Sequence, residues 1–330
     1  MRLLVIGGGR FAGRAIVEAA LAEGHAVTTF NRGSQPPLPG VQAITGDRRG
    51  DLSALHAGRW DAVIDCCGYL PREVAAMADA LAHRVGRYVF LSSVSVYANH
   101  SAPCDESAAT GTLVDPATEV IDADTYGPLK AACEAALAAR LPDRHLSLRP
   151  TLIVGPHDPT GRFPWWPARA ARAQAGEPML WPGDPLGPLQ WIDARDLARF
   201  ALAMAAQGPC GALNVGSPAG HFRWGDLADA CLAGAATGFQ PVWVPEARLV
   251  AAGVQPWVEL PLWIPADGEH DGFLRVDCRR AEALGLRCRS ATTTVADTLA
   301  WWRTLPADAQ AFPTTGLAPE REQALLAAAP

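Results

Sequence analysis

A short apolar run over residues 3–6 ends in Gly7-Gly8-Gly9, then passes through Arg10 and Phe11 into a helical apolar pattern carrying Gly13. Strand, glycine turn and helix in that order leave few folds open. Glycines allow the tight turn and let backbone approach a pyrophosphate, while the helix N-terminus offers unpaired N–H donors. The spacing is Gly7-x-x-Arg10-x-x-Gly13, so an arginine stands where many such loops hold a middle glycine. Gly7, Gly9, Arg10, Phe11 and Gly13 are therefore candidate dinucleotide contacts.

The pattern continues as a β-α-β rhythm. Apolar strands are predicted over 3–6, 26–30, 41–45, 62–65, 88–91 and 146–148, with helices over 11–23, 51–58, 72–84 and 125–140. That alternation implies a doubly wound, Rossmann-type parallel sheet covered on both faces. The later part is richer in proline and holds ten of the 11 tryptophans. Helices near 193–206 and 224–233 separate long Pro/Gly/Trp segments that read as ordered binding loops. The expected organisation is a dinucleotide-binding domain over 1–155 with returning segments near 190–217, a smaller loop-rich substrate part over 156–189 and 218–305, and a tail over 306–330 that could form a short surface helix.

Net charge of −6 and a pI near 5.8 give no basic face for nucleic acid. The opening apolar run is too short for a membrane span and lacks the pattern of a signal peptide, so a cytoplasmic protein is expected. The eight cysteines form no Cys-x-x-Cys and no His/Cys cluster with zinc spacing, so no metal site is expected.

The second strand runs into Asn31-Arg32-Gly33. NAD-preferring loops usually present a carboxylate here for the ribose 2′-OH. Asn31 and Arg32, with Arg10 nearby, instead suit a 2′-phosphate, which two guanidinium groups bind through charge-assisted bonds. NADP(H) is the expected cofactor, with NAD(H) the alternative. Gly46-Asp47-Arg48 follows the third strand, where Asp47 could accept from an adenine amino group or make only local backbone bonds; Arg48 is counted with it. Cys67 and Gly68, at the end of the fourth strand, could line the cofactor with their backbone.

The chemistry is signalled by scarcity. The chain has four tyrosines and a single lysine, and Tyr126 and Lys130 stand at helical i,i+4 spacing. An ammonium is a compact point charge that fits beneath a ribose, where a planar guanidinium would not. Ser93 lies where the fifth strand ends in Ser92-Ser93-Val94-Ser95-Val96-Tyr97, at the binding edge of a parallel sheet. Serine, tyrosine and lysine together would form a proton-transfer trio.

These residues resemble the extended short-chain dehydrogenase/reductases, the NAD-dependent epimerase/dehydratase family, from residue 1 to about 305. The carriers are GGGRFAG, GD at 46–47, FLSSVSVY, YGPLK, LRPTLIVGP at 148–156 and QWIDARDLA at 190–198. The GGxRFxG loop with its NRG turn is similar to a subgroup holding chloroplast stem-loop-binding proteins and bacterial reductase-like members. The resemblance implies that Tyr126 is the general acid/base, that Lys130 lowers the phenol from about 10 toward neutrality and holds the ribose, that Ser93 donates to the substrate oxygen, and that backbone at Pro150 faces the nicotinamide amide. Nucleotide-sugar members often carry an asparagine where this chain has Leu152.

With Ser95, Leu152, Trp165, Trp166, Trp191, Trp257 and Trp263 as candidate substrate contacts, an apolar aromatic wall is expected. The leading expectation is an NADP(H)-dependent reductase of a carbonyl or related double bond in a small hydrophobic or aromatic molecule. The alternatives are a nucleotide-sugar epimerase or dehydratase with tightly bound NAD, and a non-catalytic NADP-sensing or RNA-binding scaffold. Family members often dimerise through the helix bearing Tyr-x-x-x-Lys, which makes a homodimer the implied assembly; the residues themselves carry no sign of it.

Overall fold

A computed structural model describes residues 1–235 and 238–328 of the chain. Six strands come in sequence: β1 (Arg2–Ile6), β2 (Ala26–Asn31), β3 (Gln42–Thr45), β4 (Trp60–Asp65), β5 (Val85–Leu91) and β6 (His145–Pro150). Four short strands follow outside their sheet: β7 (Leu152–Val154), β8 (Pro178–Pro182), β9 (Pro188–Leu189) and β10 (Trp191–Asp193). Strand β11 (Gly211–Val215) then completes a seven-stranded parallel sheet in the order β11-β6-β5-β4-β1-β2-β3. The Rossmann-type sheet anticipated from the sequence is present. Its central strands are apolar on both sides because both faces are covered.

Helices α1 (Phe11–Ala22), α2 (Pro71–Leu81), α3 (Tyr126–Arg140), α4 (Trp165–Arg172) and α5 (Ala194–Gln207) follow in chain order. Alternating strand residues sort the core. Val5, Ile64 and Leu148 face α1 and α5, packing on Ile16, Leu197 and Ala201. Ile6, Val63 and Phe90 face α2 and α3, packing on Val74, Met77 and Leu137. The helix predicted over 51–58 is only a 3-10 turn at Ser53–Ala57, because Asp51 takes the Ser53 N–H and hydroxyl at 2.8 and 2.6 Å and favours a local turn. Helix α2 begins on Pro71, whose missing N–H costs nothing at a first helical position, and stops at Leu81, short of the predicted 84.

The chain builds outward from β1 to β3, then returns to place β4 on the other side of β1. Such a switch point opens a crevice beyond the carboxyl ends of β1 and β4. The glycine turn follows β1, and Cys66-Cys67-Gly68 follows β4.

A separate apolar cluster lies beyond the sheet. It joins β8, α4, β12 (Phe222–Arg223), α6 (Trp224–Gly234), β13 (Gln240–Val244), α7 (Glu246–Ala251) and, past α8 (Arg279–Ala283), the start of α9 (Ala291–Arg303). Indoles fill it: Trp166 stacks on Trp181 with centroids 4.6 Å apart, and Trp191 on Phe222 at 4.1 Å. The tail is tied in rather than merely resting on the surface. Its helix α10 (Pro319–Ala327) buries Glu322, which accepts from Arg169 Nε at 2.8 Å and from the Leu180 N–H at 3.0 Å.

Candidate active site

The glycine turn has the shape its sequence demands. Gly7 takes φ +83, and a Cβ on Gly13 would stand 2.4 Å from the Gly7 carbonyl oxygen. Gly9 is open, the nearest atom to an added Cβ being 3.7 Å away. Phe11 holds φ 41, a left-handed backbone that is costly for a side chain of its size. Helix α1 starts here without a side-chain cap bond from Arg10 and without an acidic residue in its first turn. Its leading N–H groups therefore meet no carboxylate, which suits an incoming anion. Gly13→Ala drives a methyl into the Gly7 carbonyl, and the expected loss is about 1–3 kcal/mol of stability, read as a lower Tm, together with weaker dinucleotide binding.

Arg10 and Arg32 are both exposed, and neither forms an ion pair among the described residues. Asn31 is taken up locally: its Oδ1 accepts from the Gly33 N–H at 2.9 Å, where Gly33 turns the chain at φ +72. The glycine turn and the bare helix end fit a dinucleotide, with two unpaired guanidinium groups nearby in the sequence.

Of the Asp47-Arg48 pair, Arg48 is held by protein carboxylates. Its guanidinium grips Asp65 with two bonds of 2.9 Å, lies 3.5 Å from Glu73 and is almost wholly buried. It is a brace under the crevice, tying the segment after β3 to the end of β4. Asp47 remains exposed, with one oxygen accepting from the Arg49 N–H at 2.9 Å. Beside the brace, Cys67 packs against Gly7, where an added Cβ would come within 2.8 Å of its Sγ. Burial pushes the Cys67 thiol up to about 11, so it is an unreactive wall.

Ser93, Tyr126 and Lys130 are brought together. Ser93 leaves β5, and its Oγ lies 3.1 Å from the Ser95 Oγ and accepts from the Ser95 N–H at 3.1 Å. The Tyr126 phenol, at the start of α3, comes near enough to Ser93 for the serine side chain to act on its acidity. Gly127 makes this approach possible, since a Cβ there would stand 2.0 Å from the Ser95 carbonyl oxygen. One turn on, Lys130 is buried and donates to the carbonyls of Gly68 at 2.9 Å and Leu91 at 2.6 Å. An ammonium has three donors, so one remains. Burial pulls Lys130 down to about 8.

The phenol differs from expectation. Burial raises Tyr126 above its ordinary value, and the Ser93 hydroxyl offsets part of that rise. The neighbouring ammonium is committed to the two carbonyls.

The proposed aromatic wall is mostly core. Trp166, Trp191 and Trp263 are 0–1% exposed. Trp166 Nε1 donates to the Pro261 carbonyl and Trp263 Nε1 to Glu246, each at 3.0 Å. Trp165 is buried edge-on against Trp166 at 4.8 Å. Four indoles thus pack against protein because flat, bulky side chains fill a small apolar cluster well. Only Trp257 among the five is half-buried, with the Arg162 guanidinium 5.3 Å above its ring. Leu152 opens β7, paired with Trp191 of β10, and Pro150 closes β6, buried and paired with Val215 of β11.

Two features escaped the sequence reading. Arg149 holds Glu134 of α3 through bonds of 3.0 and 2.6 Å and donates to the Tyr97 hydroxyl at 3.1 Å, which in turn donates to Asn214 at 2.6 Å. This buried network clamps α3 to the turn carrying Ser93. Tyr69 follows Gly68 and sets its ring 5.3 Å from the Lys130 ammonium. A bulky aromatic directly after a strand-end glycine was the signal available for it.

The fold is that of a dinucleotide-dependent family, and the comparisons agree. Residues 3–216 match the model of the NAD dependent epimerase/dehydratase family, and the chain belongs to that family. It is 32% identical over 234 residues to 2-alkyl-3-oxoalkanoate reductase of Stenotrophomonas maltophilia (strain K279a), covering 63% of this chain and 67% of that protein. It is 30% identical over 217 residues to chloroplast stem-loop binding protein of 41 kDa b of Arabidopsis thaliana, covering 60% of this chain but only 53% of that one. Among solved structures it is similar to UDP-glucose 4-epimerase from Bifidobacterium longum in complex with NAD+ and UDP, at 19% identity and a TM-score of 0.63 over 94% of this chain and all of that one. At that identity the likeness speaks for the fold alone. No helix among the described residues is long and apolar enough to cross a membrane.

Proposed function

We propose that the chain is an NADP(H)-dependent reductase of a ketone or related carbonyl in a small hydrophobic molecule. The observation that carries this reading is the Tyr126 phenol beside Ser93, one helical turn from the only lysine, whose ammonium bonds the carbonyls of Gly68 and Leu91 at the strand ends. Gly7, Gly9, Gly13 and the start of α1 would hold the dinucleotide phosphates, Arg10 and Arg32 the 2′-phosphate, and the remaining Lys130 donor the nicotinamide ribose. When bound, NADPH supplies a hydride to the carbonyl carbon.

The protein supplies the rest. Tyr126 donates its proton to the carbonyl oxygen, turning C=O into CH–OH, and the phenolate regains a proton from water. Ser93 orients the same oxygen and steadies the phenolate by hydrogen bonding. Burial favours the protonated phenol, the form a reduction needs. A similar protein whose name places it on a 2-alkyl-3-oxoalkanoate supports a ketone flanked by alkyl groups as substrate class.

The reading is tested by loss of NADPH absorbance with a panel of alkyl ketones and 3-oxo acids. Turnover of a nucleotide sugar without net NADPH consumption would contradict it. Replacing Arg10 or Arg32 by serine is expected to weaken NADPH binding roughly 10–100-fold each, the worth of a charge-assisted hydrogen bond, and to leave NADH binding unchanged. Titration calorimetry with both cofactors reads the difference.

A further inference from the structure

Exposed apolar side chains gather at one place beside the trio. Tyr69 is 42% exposed, Val120 62% and Ile121 46%. Two segments bring them into one neighbourhood. Tyr69 precedes α2, and Arg72 in the first turn of α2 pairs with Glu119, which brings residues 119–121 alongside. Thr125 then donates to the Val120 carbonyl at 2.6 Å, and the Tyr126 N–H to the Asp122 carbonyl at 3.0 Å, which joins the same residues to the head of α3. The Tyr69 ring lies 5.3 Å from Lys130, and the Tyr126 charge helps push the Tyr69 phenol up to about 12, after burial. Of the nearby charges, Glu119 pairs with Arg72 and Asp122 accepts from Thr125 and the Asp124 N–H, while the Asp124 side chain is exposed to solvent. Three large exposed apolar groups on one rim suit hydrocarbon.

We infer that Tyr69, Val120 and Ile121 form a collar that receives the alkyl tail of the carbonyl substrate as its oxygen reaches Tyr126 and Ser93. This deepens the proposed reductase reading and rests on it for the position of the oxygen. The collar takes the part that the sequence assigned to tryptophans now found in the core. Each methylene covered would raise kcat/KM about two- to fourfold.

The test is a 2-alkanone series from butanone to octanone, run on the full chain and on the Tyr69→Ala/Ile121→Ser variant. The collar requires kcat/KM to climb with chain length in the parent and the octanone-to-butanone ratio to fall by about tenfold or more in the variant. Val114→Ser, at a neighbouring residue that projects fully into solvent, should leave the ratio as it is. An unchanged ratio in the double variant overturns the inference. If no ketone is reduced, the function reading fails, and saturation-transfer NMR of 2-octanone decides the collar separately: an alkyl signal that the double substitution abolishes supports it, and an alkyl signal that is absent or unaltered overturns it. A dimer that the substitutions split into monomers, with the ratio unaltered, would assign the collar to a second copy and also overturn it.

Discussion

Tyr126→Phe is expected to lower reductive turnover by about 10²–10⁴-fold while NADPH affinity stays near that of the parent. The ring remains in its place at the head of α3, so only the proton donor is lost. Ser93→Ala should cost less, roughly tenfold, because the phenol keeps its proton and only the hydroxyl that would orient the substrate oxygen is lost. The pH profile separates the roles. Burial raises the Tyr126 phenol, so it stays protonated through neutral pH, and reduction should decline on the alkaline side as that proton is lost. In Tyr126→Phe the alkaline limb should vanish. Full turnover with an unaltered limb would remove Tyr126 from the chemistry.

Arg48→Met should destabilise the fold by about 3–5 kcal/mol, because it leaves the fully buried Asp65 carboxylate without its cation. Burial alone would raise Asp65; the Arg48 charge and hydrogen bonds from Arg48, Tyr88 and the Cys67 N–H more than offset this and hold it below the usual value. The folded value is therefore the lower one. The contribution is complete above the unfolded value near 3.9 and is lost as pH falls through that point toward the folded value. Without Arg48 the shift reverses, since a buried carboxyl prefers to be neutral. The gap between parent and variant, measured by denaturant titration, should shrink as pH drops from 7 toward 4. Adding Asp65→Leu to Arg48→Met should recover much of the stability. A variant that lost cofactor affinity at parental stability would instead make Arg48 a direct contact.

The fold was legible because its signals are local. The glycine trio, the apolar strands and Tyr126 with Lys130 each depend on residues a few positions apart, where strand and helix periods place side chains predictably. The Arg48–Asp65 pair was not legible because Asp65 ends β4, 17 residues on, and only the sheet order brings the two together. The tryptophans were misread for a related reason. Indoles in proline-rich segments look the same in sequence whether they line a cleft or close a core, and only the stacking of Trp166 on Trp181 and of Trp191 on Phe222 separates the cases. The Arg149 clamp joins α3, β6 and the Ser93 turn across 52 residues, a distance over which no sequence period operates.

The central claim is that Tyr126 is the group whose proton affinity answers to the coenzyme. Four tyrosines make it directly measurable: ring-labelled tyrosine gives four carbon-13 resonances, and the one missing from Tyr126→Phe is assigned. The account requires that resonance to titrate at lower pH with NADP+ bound than without it, while those of Tyr88 and Tyr97 hold. A Tyr126 resonance indifferent to NADP+ would contradict it.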